Sequence, residues 1–317
     1  MLEVHVSITA VAILVLIILL FLIGLLVYIY PGSSKETTVP GPDVSDAKDG
    51  NKSDIERAGS LHAYLCNLHA DFKHEGAVSF HHGKQLVISI SNPKFFAPRS
   101  QVFQLPSFLY EYWRPLIGEE SFLFAKDIDV FRRRDYLDFK VNRNVKEFYA
   151  KIFRLLAVEL ETKWEKQPED QHIPLTQHLK GLATKAVCQM MFGDNYADGT
   201  KVLELYRAWD KCWNEVMAAS KMEPTKSESV EKKSISELRK LMENAIEERW
   251  NKSKSLDGIT LLDGLLSSQT SDSKDQLTSE QLLCDVITMF TMGVQITTAV
   301  LCWSCYFVAS NKEVQRK

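Results

Sequence analysis

The sequence predicts a mainly α-helical fold with a small β-sheet, preceded by one N-terminal transmembrane helix. Three features predict it. An uncharged apolar run extends from Val6 to Tyr30, a pair of alternating segments surrounds Gly83, and much of the remaining length carries apolar residues at helical spacing.

The apolar run comes first. A helix rising about 1.5 Å per residue needs roughly 20 apolar residues to cross a bilayer core, and this run exceeds that, with Tyr28 and Tyr30 at one rim. A cleaved signal peptide is the competing reading, because Gly32, Ser33 and Ser34 are small. Such a peptide has a positively charged start and an apolar stretch of about 7–15 residues. This chain begins with Glu3 and His5 and stays apolar far longer. Residues 1–30 are therefore assigned as a single-pass anchor in contact with membrane lipid. Lys35 against Glu3 is the small charge bias that puts the bulk of the chain in the cytosol. Asn51-Lys52-Ser53 and Asn251-Lys252-Ser253 are acceptor sequons, so a lumenal soluble part would carry glycans there.

Residues 31–60 are rich in Pro, Gly, Ser, Asp, Lys and Thr and read as a linker that includes Val39-Pro40-Gly41-Pro42. The folded region is assigned to residues 61–317. Leu61, Tyr64, Leu65 and Leu68 recur at helical spacing, and Ala77–Phe80 and Gln85–Ile90 then alternate as a hairpin around Gly83. From Ser107 to Asp129 aromatic and polar residues mix without a period, and no element is assigned.

Phe148, Ile152, Leu155, Leu156, Leu160 and Trp164 line one face of a helix from about Val145 to Lys166. Thr176 is placed to cap the next, whose apolar face is Leu179, Leu182, Ala186, Val187, Met190 and Met191, and Gly193 to end it in a left-handed conformation. Ser220 to Ser234 reads as a loop before a helix carrying Ile235, Leu238, Leu241, Met242, Ile246 and Trp250. Thr278-x-x-Gln281 opens the longest helix, apolar through Ala309 on nearly all sides. Such a helix is the centre of a large helical protein or a second membrane span, and Asp285 and Gln295 favour the former because polar groups are costly in lipid.

A net charge of −3 offers no electrostatic case for nucleic acid. Six cysteines spread through 317 residues do not form a disulfide framework and suit a reducing compartment.

The anchor, the Pro-Gly-Pro hinge, the helix and hairpin from Leu61 to Ile90, and Gly293-Val294-Gln295-Ile296-Thr297-Thr298 on the long helix follow in an order that resembles a microsomal cytochrome P450. Within that superfamily the likeness is to the vertebrate orphan family twenty. It covers the whole chain but roughly the first two thirds of one large catalytic domain. The resemblance implies a helical fold holding haem against the long helix, a haem-thiolate monooxygenase acting on an apolar small molecule, electrons from NADPH-cytochrome reductase, and residence in the endoplasmic reticulum membrane with the domain cytosolic. The family's axial cysteine lies in a Phe-x-x-Gly-x-x-x-Cys loop that nothing in residues 1–317 matches, so no metal ligand is assigned. The expectation is that the chain as given binds haem poorly and is inactive.

The family's long helix supplies an acid and then a threonine for proton delivery to bound oxygen. Aligned on Gly293, those places hold Gln295 and Ile296, with Thr297 one residue on, about 100° round the helix. A bland role for Thr297 and Thr298 is a bond back to the preceding turn. Arg133 and Arg134 match the place where the family offers arginine to a haem propionate, although Val130 stands where the accompanying tryptophan is usual. A solvated basic helix face is the competing reading. Glu313-Val314-Gln315-Arg316 matches the spacing of the family's Glu-x-x-Arg pair but follows the long helix directly, and is read as coincidence. Cys302-Trp303-Ser304-Cys305 has redox or zinc spacing but is read as small buried side chains, and His81-His82 on a strand would point to opposite faces. The alternative to an enzyme is a non-catalytic two-span membrane protein with Val286–Ala309 as the second span and an interaction domain between.

Overall fold

The computed structural model describes residues 14–25, 37–73, 75–95, 111–126, 129, 132–133, 143–197, 199–220, 228–252, 260–270 and 276–316. The chain divides into two compact units, Met1–Gln101 and Val102–Lys317.

In the first unit, Leu14–Leu25 forms an apolar helix (α1) whose large side chains stand exposed. The rest of the predicted anchor lies outside the described residues. Helices Lys52–Arg57 (α2) and Leu61–Asp71 (α3) precede strands Ala77–His82 (β1) and Gln85–Ile90 (β2). Ser60 caps α3 by accepting a bond from the Ala63 N–H at 3.1 Å. The strands pair antiparallel, with Ala77 opposite Ile90 and His82 opposite Gln85. Gly83 takes φ 60° in the tight turn, where a β-carbon would be strained. Tyr64 and Leu68 pack on Val78 and Phe80, with the Tyr64 and Phe80 rings edge to face at 5.5 Å.

The expected linker is shorter than the composition implies. Ser79 N–H donates to Pro40 O at 2.8 Å and its hydroxyl to Val39 O at 2.8 Å, so the chain is held on β1 well before Leu61. Asn51, fully buried, accepts from His81 N–H at 2.9 Å while its own N–H donates to His81 O at 2.7 Å. Its side-chain amide donates to Asp43 O at 2.9 Å, Ser45 Oγ at 3.4 Å and Asp54 Oδ2 at 3.2 Å. Polar residues that read as solvated spacer are instead partners for backbone groups that β2 leaves free.

The second unit is helical. After a short helix Arg114–Ile117 (α4) come Arg143–Glu165 (α5), Leu175–Phe192 (α6), Gly199–Ser220 (α7), Glu228–Lys252 (α8), Leu261–Thr270 (α9), Ser279–Ser310 (α10) and Lys312–Gln315 (α11). On α5, Ile152 and Leu156 are buried as expected, but Leu155 is exposed. Pro174, and not Thr176, is the N-cap of α6; its fixed φ of −73° enters the helix and its carbonyl accepts from His178. Gly193 ends α6 with φ 80° and ψ −161°, a positive φ as anticipated but with an extended ψ. Helix α8 starts inside the stretch expected to be loop, where Ser234 is buried and donates to Glu215 Oε1 at 3.1 Å.

Helix α7 went unassigned in the sequence although Val202, Leu205, Trp209, Cys212 and Val216 recur every three or four residues, and all five are buried. Helix α9 also went unassigned, yet Thr260 and Asp263 cap it reciprocally, Thr260 N–H donating to Asp263 Oδ2 at 3.0 Å and Asp263 N–H to Thr260 Oγ1 at 3.2 Å. Trp209, Phe192, Leu238, Met242, Leu262 and Phe290 form the middle of the core, each burial stabilising by about 1.5–3 kcal/mol.

Candidate functional site

Helix α10 begins with the predicted capping box: Gln281 N–H donates to Thr278 Oγ1 at 3.1 Å and Thr278 N–H to Gln281 Oε1 at 3.1 Å. Its first half is buried from Leu282 to Thr288 and again at Phe290, Thr291 and Val294. By length and composition the helix could cross a membrane. A buried ion pair in that first half argues for a protein interior, because lipid offers a charge no partner.

That pair joins Asp285 to Arg133 at 3.1 Å, with both side chains almost fully buried. Phe122 N–H donates to the same Asp285 oxygen at 2.8 Å, and Arg133 also meets Asp129 at 2.9 Å and the Glu120 carbonyl. Beside them the Ser121 and Thr288 hydroxyls share a bond at 2.8 Å. Burial pushes the Asp285 carboxyl up to about 7, against the pull of Arg133 and the Phe122 amide. Of the two arginines picked for a propionate, Arg133 is thus engaged by carboxylates here, and Arg134 lies outside the described residues. Sequence reasoning singled out both Asp285 and Arg133 but did not pair them, since they lie 152 positions apart.

Past Val294 the helix emerges. Gly293 is half-buried, and a β-carbon there would stand 3.0 and 3.3 Å from the Val187 methyls, so glycine lets α6 approach. Ile296 is 53% exposed and begins a strip that continues through Val300, Trp303 and Phe307. Gln295 and Thr297, each half-buried, flank Ile296 about 100° to either side. The Gln295 amide nitrogen is enclosed without a hydrogen-bond partner among the described residues. Thr298 is buried and its hydroxyl donates to Val294 O at 2.7 Å, the bond back expected of it.

The cysteines divide by surroundings. Burial raises the thiols of Cys188, Cys212 (to about 12) and Cys284 (to about 11), which keeps them protonated at neutral pH. Cys302 and Cys305 are free and half-buried, more open than expected, with Cys302 Sγ 3.9 Å from Thr176 Oγ1. No metal-binding group of His, Cys, Asp or Glu occurs among the described residues. The open strip exposes the apolar side chains of Ile296, Val300, Trp303 and Phe307, with Gln295 and Thr297 at its edges.

The family model for Cytochrome P450 matches residues 50–317. The chain is also similar to Cytochrome P450 20A1 of Rattus norvegicus, 30% identical over 305 residues, which cover 93% of this chain and 62% of that protein. The same protein of Mus musculus is 30% identical over 305 residues and that of Homo sapiens 29% over 301, with the same coverage. The chain spans 62% of the length of these relatives.

Proposed function

Because this chain belongs to the cytochrome P450 family, we propose that it is the N-terminal part of a membrane-tethered haem-thiolate monooxygenase acting on a small apolar molecule. The observation that carries this reading is the open strip of α10, where Ile296, Val300 and Trp303 offer an apolar wall beside Gly293 and Thr297. Haem, when bound, supplies the activation of dioxygen. With haem bound, this apolar wall would exclude water from the site and favour an apolar substrate. Gln295, in the place of the family's acid, donates hydrogen bonds but has no titratable proton, and Ile296 has no hydroxyl. Thr297 is then the hydroxyl nearest the strip, positioned to hold a water there. Arg133 serves a propionate only by exchanging Asp285 or Asp129 for it, a swap of one charge-assisted bond for another, and Arg134 is the adjacent candidate.

The apolar α1 and the Lys35 bias support an anchor with the domain on the cytosolic side, where the endoplasmic reticulum membrane and NADPH-cytochrome reductase belong to this reading. The test extends the chain to the length of its relatives and expresses it with haem supplied. After reduction, carbon monoxide should produce a thiolate-type absorption band. A folded, extended protein that gives no such band overturns the proposal.

A further inference from the structure

A row of aromatic rings crosses the second unit from α10 to the surface. Trp209 is fully buried, 5.8 Å from the Phe290 ring, and its indole N–H donates to Thr291 Oγ1 at 3.1 Å. Trp213, one turn further along α7, stacks on Trp209 at 5.9 Å and 24°. Trp213 meets Trp113 edge to face at 5.6 Å, and Trp113 meets Tyr112 at 5.9 Å. Tyr112 is 39% exposed. Every step lies within the range of rings in contact, and indole and phenol are the side chains that most readily give up one electron without losing their skeleton.

Core packing accounts for a cluster of large rings but not for the charge beside it. The Lys180 ammonium stands 5.1 Å from the Trp209 ring and 5.8 Å from that of Tyr206, and it is ion-paired with Asp210. Among the described residues no cation lies over Trp213. A cation that is attracted to a neutral ring repels the same ring once it is oxidised. Positive charge on Trp209 is therefore favoured to pass to Trp213, which no such cation faces among the described residues, over Tyr206, which Lys180 also approaches.

We propose that Trp209, Trp213, Trp113 and Tyr112 form a one-electron relay that carries oxidising equivalents away from the central helix to the protein surface. An oxygen-derived one-electron oxidant formed at the open strip of α10 takes an electron from Trp209 and is itself reduced. The indole cation is refilled by Trp213, Trp213 by Trp113, and Trp113 by Tyr112, whose phenol proton passes to water. A dissolved thiol then returns one electron and one proton to Tyr112 and leaves as a thiyl radical. The relay rests on the proposed function only for the source of the oxidant.

Pulse radiolysis in azide solution tests it on the full chain, without haem. The azide radical takes one electron from indole and becomes azide ion. A Tyr306→Phe background is used because Trp303 and Tyr306, 5.7 Å apart, would give the same signal. In that background the indolyl absorbance should decay into tyrosyl absorbance in a first-order phase independent of protein concentration. Tyr112→Phe, which removes one surface hydroxyl, should abolish most of the tyrosyl yield. Trp213→Phe should lower that yield and leave a longer-lived indolyl signal. A yield that survives Tyr112→Phe, or one unmoved by Trp213→Phe, overturns the relay while leaving the haem reading untouched.

Discussion

At Asp285 burial works against an ion pair. Burial raises its carboxyl to about 7 even though Arg133 stands 3.1 Å away, so removal from water outweighs the ion pair. A carboxyl raised above its ordinary 3.8 binds its proton more tightly in the folded chain than in the unfolded one. Its contribution to stability is then complete below about pH 4 and is lost as pH rises through about 7. The variant Asp285→Asn does not titrate. Thermal melts should show the difference in Tm, variant minus parent, moving upward between pH 5 and 8 by a few degrees, at about 2–4 °C per kcal/mol. A downward movement would mean that Arg133 outweighs the burial. Nothing local in the sequence marks this pairing, because the Arg-rich stretch and the Asp at the helix start meet only when the fold brings them together.

Helix α10 shows how an element can be half core and half surface on one apolar pattern. Its start is fixed by the reciprocal bonds of Thr278 and Gln281, and Thr278→Ala should cost about 1 kcal/mol, read as a fall in Tm of about 2–4 °C. An unchanged melt would show that the tertiary contacts of Leu282 and Leu283 hold the helix start without its cap. A cap of this kind is local, which is why the start of α10 was legible in the sequence; α3 was legible from the spacing of Leu61, Tyr64, Leu65 and Leu68, and the hairpin from its alternation around Gly83. The missed elements failed for different reasons. Helix α7 carries a plain amphipathic period in Val202, Leu205, Trp209, Cys212 and Val216 that was passed over, and α9 is only ten residues long. The start of α8 is made of Glu, Lys and Ser, whose composition says loop, while one buried serine and its Glu215 partner hold it in the fold. For the candidate site, the positions Gly293 to Thr297 were nominated through the family resemblance. That Ile296 is open, Gln295 enclosed and Arg133 already paired depends on which neighbours surround them.

At the scale of the whole molecule, two apolar helices compete for the role of membrane attachment, α1 and the exposed second half of α10. Deleting residues 1–30 separates them. If α10 is a core helix, carbonate-washed membranes should release the shortened chain and a sucrose gradient should no longer float it; continued flotation would assign α10 to the bilayer. The clasp around Asn51 bears on the same question from the other end of the chain. Oligosaccharide transfer would have to use the side-chain nitrogen that Asp43, Ser45 and Asp54 claim, so closure of the hairpin unit and attachment of sugar exclude each other at one atom. Mass gained at Asn51 would therefore time the order of folding, and the exposed Asn251 is the better reporter of which side of the membrane the finished protein faces.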